Sequence, residues 1–106
     1  MARECTEEKS LILRFCERER LRSAVRLLCE LGYGGARGRV YRLPAGELML
    51  YVLLPRGKCR FSVLLGILEE YGQREENPAA LAYVQEYGEC LSSGEALRKI
   101  MERASV

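Results

Sequence analysis

The 106-residue sequence contains no histidine and no tryptophan. Without histidine, the chain has no imidazole general base, no Ser-His or Cys-His nucleophile pair and no imidazole metal ligand. Other side chains can support catalysis, but no nucleophile in this sequence has an evident base. We therefore expect a protein that is not an enzyme and that carries neither a metal nor a cofactor.

The cysteines are scattered along the chain and form no C-x-x-C pair; the five are Cys5, Cys16, Cys29, Cys59 and Cys90. This spacing argues against a zinc knuckle or a thioredoxin-type site, and the odd number argues against a disulfide framework. We expect five reduced thiols, most of them buried as small apolar side chains, in a cytoplasmic protein.

The sequence contains no recognisable targeting signal or membrane span. The N-terminus, MARECTEEKS, has no apolar run and so differs from a signal peptide. The longest uncharged apolar run, residues 48–55, is too short to cross a bilayer. We therefore expect no membrane partner.

Composition and charge favour one folded domain that does not bind nucleic acid. The chain is 48% hydrophobic and 30% charged, with only three prolines, which excludes a disordered or Pro-rich chain. Lys and Arg number 17 against 15 Asp and Glu, and this net charge of +2 is too balanced for an obvious electrostatic nucleic-acid binder. We assign residues 1–9 to a loose N-terminal segment and residues 10–106 to the single domain.

The first half of the chain predicts a strand, a helix and the two arms of a hairpin, over residues 10–15, 17–31, 39–43 and 47–54. Apolar residues alternate in the first segment and follow helical spacing in the second, which Gly32 should end. Pro44 and Gly46 mark the hairpin turn, since Gly46 can adopt the positive φ that closes it. The second arm is almost wholly apolar, which favours a central strand.

The second half predicts a helix over about residues 58–71, a strand over 81–87 and a last helix that begins near residue 96. Gly72 should cap the first of these helices, and residues 92–95 form a capping-box sequence before the last. The order β-α-β-β-α-β plus a helix is the ferredoxin-like split βαβ plan. We predict an α+β fold whose four-stranded antiparallel sheet carries both long helices on one face.

The most distinctive pattern is a repeated Glu-Tyr-Gly tripeptide. Glu70, Tyr71 and Gly72 end the second predicted helix, and a second copy at residues 86–88 ends the fourth predicted strand. In a purely structural interpretation, each Gly adopts a positive φ, while each Tyr packs its ring and extends its hydroxyl to water.

With its surroundings, this doublet resembles the C-terminal domain of the MecA family. The resemblance is carried by Leu68-Glu-Glu-Tyr-Gly72, Val84-Gln-Glu-Tyr-Gly-Glu-Cys-Leu91 and Gly94-Glu-Ala-Leu-Arg-Lys-Ile100, and it extends over about residues 10–104. Glu89 stands where the family pattern has Lys. MecA proteins are adaptors that feed substrates to the AAA+ unfoldase ClpC and its protease partner ClpP, and they regulate competence negatively.

The resemblance implies a protein that binds a ClpC-type unfoldase and modulates regulated proteolysis. It covers the ClpC-binding half of the family, and the N-terminal substrate-recognition domain has no counterpart in these residues. We expect the partner contacts at Glu70, Tyr71, Glu86 and Tyr87, with both carboxylates near one edge in a single acidic patch. We expect Gly46, Gly72 and Gly88 to lie in turns and to have a structural role. A homodimer is also compatible with the sequence.

A second interpretation is an ACT-like or other ferredoxin-like regulatory domain that binds a small ligand as a dimer. ACT domains favour a Gly- or Asp-rich turn between the first strand and the first helix. Here that turn is Cys16-Glu-Arg-Glu-Arg20, which is long and charged. The sensor interpretation therefore stands second to the adaptor.

Overall fold

The computed structural model describes residues 9–54 and 61–103, without the side chains of Lys9, Phe61 and Pro78. Its strands are β1 (Lys9–Phe15), β2 (Arg37–Arg42), β3 (Leu48–Leu54), β4 (Gln73–Arg74) and β5 (Glu89–Ala96). Its helices are α1 (Arg18–Leu28), α2 (Phe61–Leu68), α3 (Pro78–Tyr87) and α4 (Leu97–Glu102). A π-helical turn over Cys29–Tyr33 follows α1, and Gly32 interrupts it with a φ of +98°. The predictions for residues 1–8, for the start of the second helix at residues 58–60 and for Ala104 fall outside the described residues.

The strands form one antiparallel sheet in the order β4-β1-β3-β2-β5. The α+β class is confirmed, and β3 is the central strand. The sheet has five strands rather than the predicted four, since two edge strands, β4 and β5, flank the three that the sequence predicted correctly.

The main core lies on one face of the sheet, beneath α1, α2 and α4. The inward residues of β1 and β3 alternate, and Leu13, Leu21, Leu28 and Leu68 are fully buried there. Both long predicted helices therefore lie on the same face, as expected. Of the described helices, none is long and apolar enough to span a bilayer.

The predicted fourth strand is wrong, because residues 81–87 belong to helix α3. Asn77 caps this helix: its side chain accepts a hydrogen bond from the Ala79 N–H at 3.0 Å, and Pro78 occupies the first turn. Leu81 and Val84 lie three residues apart, and both pack on the second face of the sheet. The apolar residues of this short segment fit the periodicity of a strand as well as that of a helix. The Asn-Pro sequence at its start favours the helix.

The predicted capping box at residues 92–95 is also wrong, because these residues lie in β5, paired with β2. Helix α4 begins later, at Leu97, and no side chain caps it. Its first amides are satisfied instead by a loop, since Leu97 N–H donates to the Ala36 carbonyl at 2.9 Å and Arg98 N–H to that of Gly34 at 3.0 Å. Leu97 and Ile100 still form its buried face, as predicted.

The hairpin between β2 and β3 closes through two backbone hydrogen bonds. Leu43 N–H donates to the Glu47 carbonyl at 2.8 Å, and Gly46 N–H donates to that of Leu43 at 2.9 Å. Gly46 has a φ of +101°, which a side chain would oppose. This turn fixes Glu47 at the end of the sheet where β1 also finishes.

Candidate partner-binding site

Each Glu-Tyr-Gly motif directly precedes an edge strand of the sheet. Gly72 leads into β4, and Gly88 leads into β5. The register pairs Phe15 with Leu48, Leu48 with Arg42 and Arg42 with Glu89, so both motifs lie at the same end of the sheet. They lie at opposite edges, however, four strand spacings or about 19 Å apart. The expectation of one shared edge is wrong, because the edge strands β4 and β5 place the motifs apart.

The two motif glycines are required by space rather than by backbone angle. Neither has a positive φ. A Cβ on Gly72 would lie 2.6 Å from Phe15 Cε1 and 2.7 Å from the Arg14 carbonyl oxygen, and one on Gly88 would lie 2.6 Å from the Val84 carbonyl oxygen. The positive-φ interpretation is therefore wrong for both. Each glycine lets the chain pass against its neighbours before it enters an edge strand.

The first motif closes the last turn after α2. The N–H groups of Tyr71 and Gly72 both donate to the Leu68 carbonyl, at 2.9 and 3.3 Å. Tyr71 is half-buried against the main core, whereas the Glu70 side chain is exposed. The Glu70 carbonyl accepts a hydrogen bond from Arg20 Nη1 at 3.4 Å, which joins this turn to α1. Tyr71 thus anchors the turn, and the Glu70 carboxylate remains available to a partner.

An open cleft of about 440 Å³ lies beside the first motif. Its charged lining consists of four carboxylates and two guanidinium groups, a formal charge of −2, from Glu17, Glu47, Glu69, Glu70, Arg14 and Arg20. Arg14 bridges Glu47 at 2.8 Å and Glu75 at 3.4 Å, and its hydrogen bond to Glu47 raises the pKa of the guanidinium. Within the described parts of the chain, Glu17, Glu69 and Glu70 form no ion pair. The cleft is therefore suited to a cationic side chain.

The second motif presents an aromatic pair on the outer side of α3. Tyr87 is 61% exposed and Tyr83 is 51% exposed, and their rings contact each other with centroids 5.0 Å apart. Glu86 is exposed beside them. The sequence prediction named Glu86 and Tyr87 but omitted Tyr83. Tyr83 lies four residues before Tyr87, so the two rings are neighbours on one face of a helix. The sequence would have indicated this pair if Asn77 had been recognised as a helix cap.

The thiols differ from the expectation that most of them are buried. Cys16 and Cys90 are exposed, and Cys29 is half-buried; none of these three is in a disulfide. Burial raises the pKa of the Cys29 thiol, an effect that nearby Arg98 opposes. Cys5 and Cys59 lie outside the described residues. In residues 9–54 and 61–103, no three Cys, Asp or Glu side chains are grouped so that they could hold a metal ion.

No family model matches the sequence, and no curated protein matches it. Solved structures do match. The C-terminal domain of YpbH is 25% identical, with a TM-score of 0.69 over 92% of this chain and 100% of that chain. The C-terminal domain of MecA is 22% identical, with a TM-score of 0.65 over the same shares. The resemblance to the MecA C-terminal domain is confirmed.

A third match comes from a cryo-EM study of the MecA-ClpC complex. It is 24% identical, with a TM-score of 0.62, and the match covers 88% of this chain and 93% of that one. At these identities the likeness establishes the MecA C-terminal fold.

The Glu89 departure from the MecA sequence pattern has a structural explanation. Glu89 Oε2 accepts a hydrogen bond from Arg42 Nη1 at 3.3 Å, across the pairing of β2 with β5. A Lys at this position would face Arg42 with the same charge. The pair is largely exposed, so it contributes at most about 1 kcal/mol. In this MecA-like domain, the ion pair adds a small contribution to the backbone pairing that holds the edge strand next to the second motif.

Proposed function

We propose that this protein binds a ClpC-type AAA+ unfoldase as an adaptor or regulator of proteolysis in the cytoplasm, without catalytic activity of its own. The observation that carries the proposal is the structural likeness to MecA, including a chain from the MecA-ClpC complex. The contact surface is the end of the sheet that bears the two Glu-Tyr-Gly motifs.

The spacing of the motifs suits a single protein partner. An interface of standard size buries about 800 Å² on each side, which corresponds to a patch about 30 Å across. The edge strands that follow the motifs are about 19 Å apart, so one partner can contact both motifs at once. The contact then has two separate anchor points, one on each edge of the sheet.

Each anchor point combines a carboxylate with a tyrosine. Glu70 and the acidic cleft beside it can receive a Lys or Arg side chain of the unfoldase, and Glu86 can receive another. On the second motif, Tyr87 and Tyr83 offer a large amphipathic surface of the kind that often dominates binding energy. Tyr71 acts differently, because its ring packs on the core and holds the first turn in place.

Co-elution on a sizing column with ClpC from the same source tests this function. We expect a complex with the wild-type protein and a weaker one with Glu70→Lys or Glu86→Lys. Glu102→Lys is the matched control, because Glu102 is also an exposed carboxylate. It lies at the end of α4, which follows the last residue of β5, whereas the second motif precedes the first residue of β5. The absence of any shift with tens of micromolar of each wild-type protein would exclude the adaptor function.

A further inference from the structure

Among the residues that the structure describes, helix α3 covers only half of the second face of the sheet. Helix α3 covers the part that contains Tyr41 and Met49, which are buried beneath Val84. The register places two further rows beyond this helix, one with Leu53 opposite Arg37 and one with Tyr51 opposite Arg39. We call Arg37, Arg39, Tyr51 and Leu53 the open face. Leu53 is 37% exposed, Tyr51 is partly exposed and both arginines are exposed.

The two arginines of the open face carry charge that no described carboxylate neutralises. Among the described residues, neither forms an ion pair with a carboxylate. Arg37 Nη1 donates to the Gly94 carbonyl at 2.8 Å, which orients a guanidinium that has further N–H donors to offer. The neighbouring Tyr41 side chain raises the pKa of the Arg39 guanidinium. Both groups are charged and exposed, and Arg37 is also oriented by its hydrogen bond.

The spacing of these groups identifies the chemistry of an occupant. Arg37 and Arg39 are two residues apart on β2, so their side chains emerge about 6.6 Å apart on one face. An extended peptide repeats its same-side residues at the same interval. We propose that the open face binds an extended acidic segment of another protein, which lies along the line between β2 and β3. Carboxylates on one side of this segment face β2, and apolar side chains on its other side face β3. The carboxylates pair with the arginines, and the apolar groups pack on Leu53 and Tyr51.

A single-stranded nucleic acid fits this surface less well than a peptide does. Sheet-face RNA recognition stacks two or three bases on aromatic side chains, and the open face has one aromatic ring, Tyr51. Leu53 beside it favours an aliphatic contact. Two arginines would also neutralise only a short stretch of a phosphate backbone.

The open face and the Glu-Tyr-Gly motifs lie at opposite ends of the sheet. Arg37 begins β2 and Leu53 lies near the end of β3, whereas the motifs adjoin Arg42 and Leu48 at the other ends of these strands. Both surfaces can therefore be occupied at the same time. This inference goes beyond the proposed unfoldase contact and does not depend on it, although together they would give the domain a means of delivering a bound protein.

Fluorescence anisotropy with a labelled ten-residue peptide, in which Glu alternates with Leu and Val, tests the open face. We expect saturable binding to the wild-type protein that weakens as salt is raised from about 50 to 300 mM. Arg37→Gln with Arg39→Gln should weaken binding by about tenfold or more. Leu53→Ser should weaken it severalfold while the salt dependence persists.

Matched variants and probes separate this proposal from its alternatives. Arg18→Gln with Arg26→Gln removes the same charge from exposed positions on α1 and should leave peptide binding unchanged. The arginine pair on the open face should be dispensable for co-elution with ClpC, so failure of one proposal leaves the other testable. Equal peptide binding by the wild type and the Arg37/Arg39 variant would overturn the proposal. Tighter binding of a matched Lys peptide or of a ten-nucleotide oligouridine would overturn it too.

Discussion

Replacing Gly72 by Ala tests whether space, rather than backbone angle, requires glycine in the first motif. The added Cβ would lie 2.6 Å from Phe15 Cε1 and 2.7 Å from the Arg14 carbonyl oxygen. Phe15 is 1% exposed and packed in the core, so its ring has no free direction in which to move. Overpacking of this kind costs about 2 kcal/mol. In a domain of this size, that corresponds to a fall in Tm of about 8 °C or more.

Thermal melts followed by circular dichroism measure this effect, and the chain supplies its own controls. A Cβ on Gly35 or Gly66 would meet nothing within 4 Å, and neither residue has a positive φ. Gly35→Ala should therefore be nearly neutral, and Gly66→Ala should stabilise α2 by up to about 1 kcal/mol.

Gly72→Asn separates the two explanations for this glycine. Asn tolerates a positive φ better than most residues, so a left-handed turn would accept it more readily than Ala. The larger side chain should instead be at least as destabilising as Ala, because the obstacle is Phe15. A Gly72→Ala protein that melts with the wild type, or an Asn variant more stable than the Ala variant, would refute the steric explanation.

Three further predictions concern the helix cap, the core and the thiols. Asn77→Ala removes the side chain that caps α3 and should lower the free energy of unfolding by about 1 kcal/mol in urea titrations. Leu13→Ala, at a fully buried position of β1, should cost about 2 to 5 kcal/mol by the same measurement, and a loss below 1 kcal/mol would contradict its place in the core. A maleimide should label Cys16 and Cys90 in the native protein faster than Cys29, whose raised pKa also shifts its reactivity to higher pH. Because the pKa of Cys29 is raised in the folded state, the protonated thiol contributes to the free energy of unfolding. This contribution is complete below the pKa of the thiol in the unfolded chain, and it is lost as the pH rises through the pKa in the folded protein.

Local periodicity was sufficient to predict the strands and helices of the first half of the fold. The alternation in β1, the helical stripe of α1 and the Pro-Ala-Gly turn before Glu47 each specify one structure over short stretches of chain. The second half depended on weaker signals. Residues 81–87 fit a strand or a helix, and the Asn77-Pro78 helix start decided between them. Strand β5 contains Ser, Gly and Glu, so its place in the sheet comes from long-range pairing with β2.

The exposure of three candidate site residues was predictable from the sequence, but the arrangement of the two motifs was not. Glu70, Glu86 and Tyr87 are exposed. Their exposure was expected because the chain leaves its regular structure at each motif glycine, where polar side chains can face water. Their separation depends on β4 and β5 lying at opposite edges, and neither edge strand has a hydrophobic pattern of its own. Tyr83 was missed because its partnership with Tyr87 follows from the helical conformation of α3.

If two separate acidic anchor points contact one ClpC-type partner, a double-mutant cycle will show independent contributions from Glu70 and Glu86. Titration calorimetry would compare wild type, Glu70→Lys, Glu86→Lys and the double variant, with Glu102→Lys as the control. Changes at well-separated sites add in free energy, so we expect each single reversal to weaken binding about tenfold and the pair about a hundredfold. The control should bind like the wild type. A correctly folded double variant that binds with wild-type affinity at low and moderate salt would show that the acidic anchor points do not contact the unfoldase.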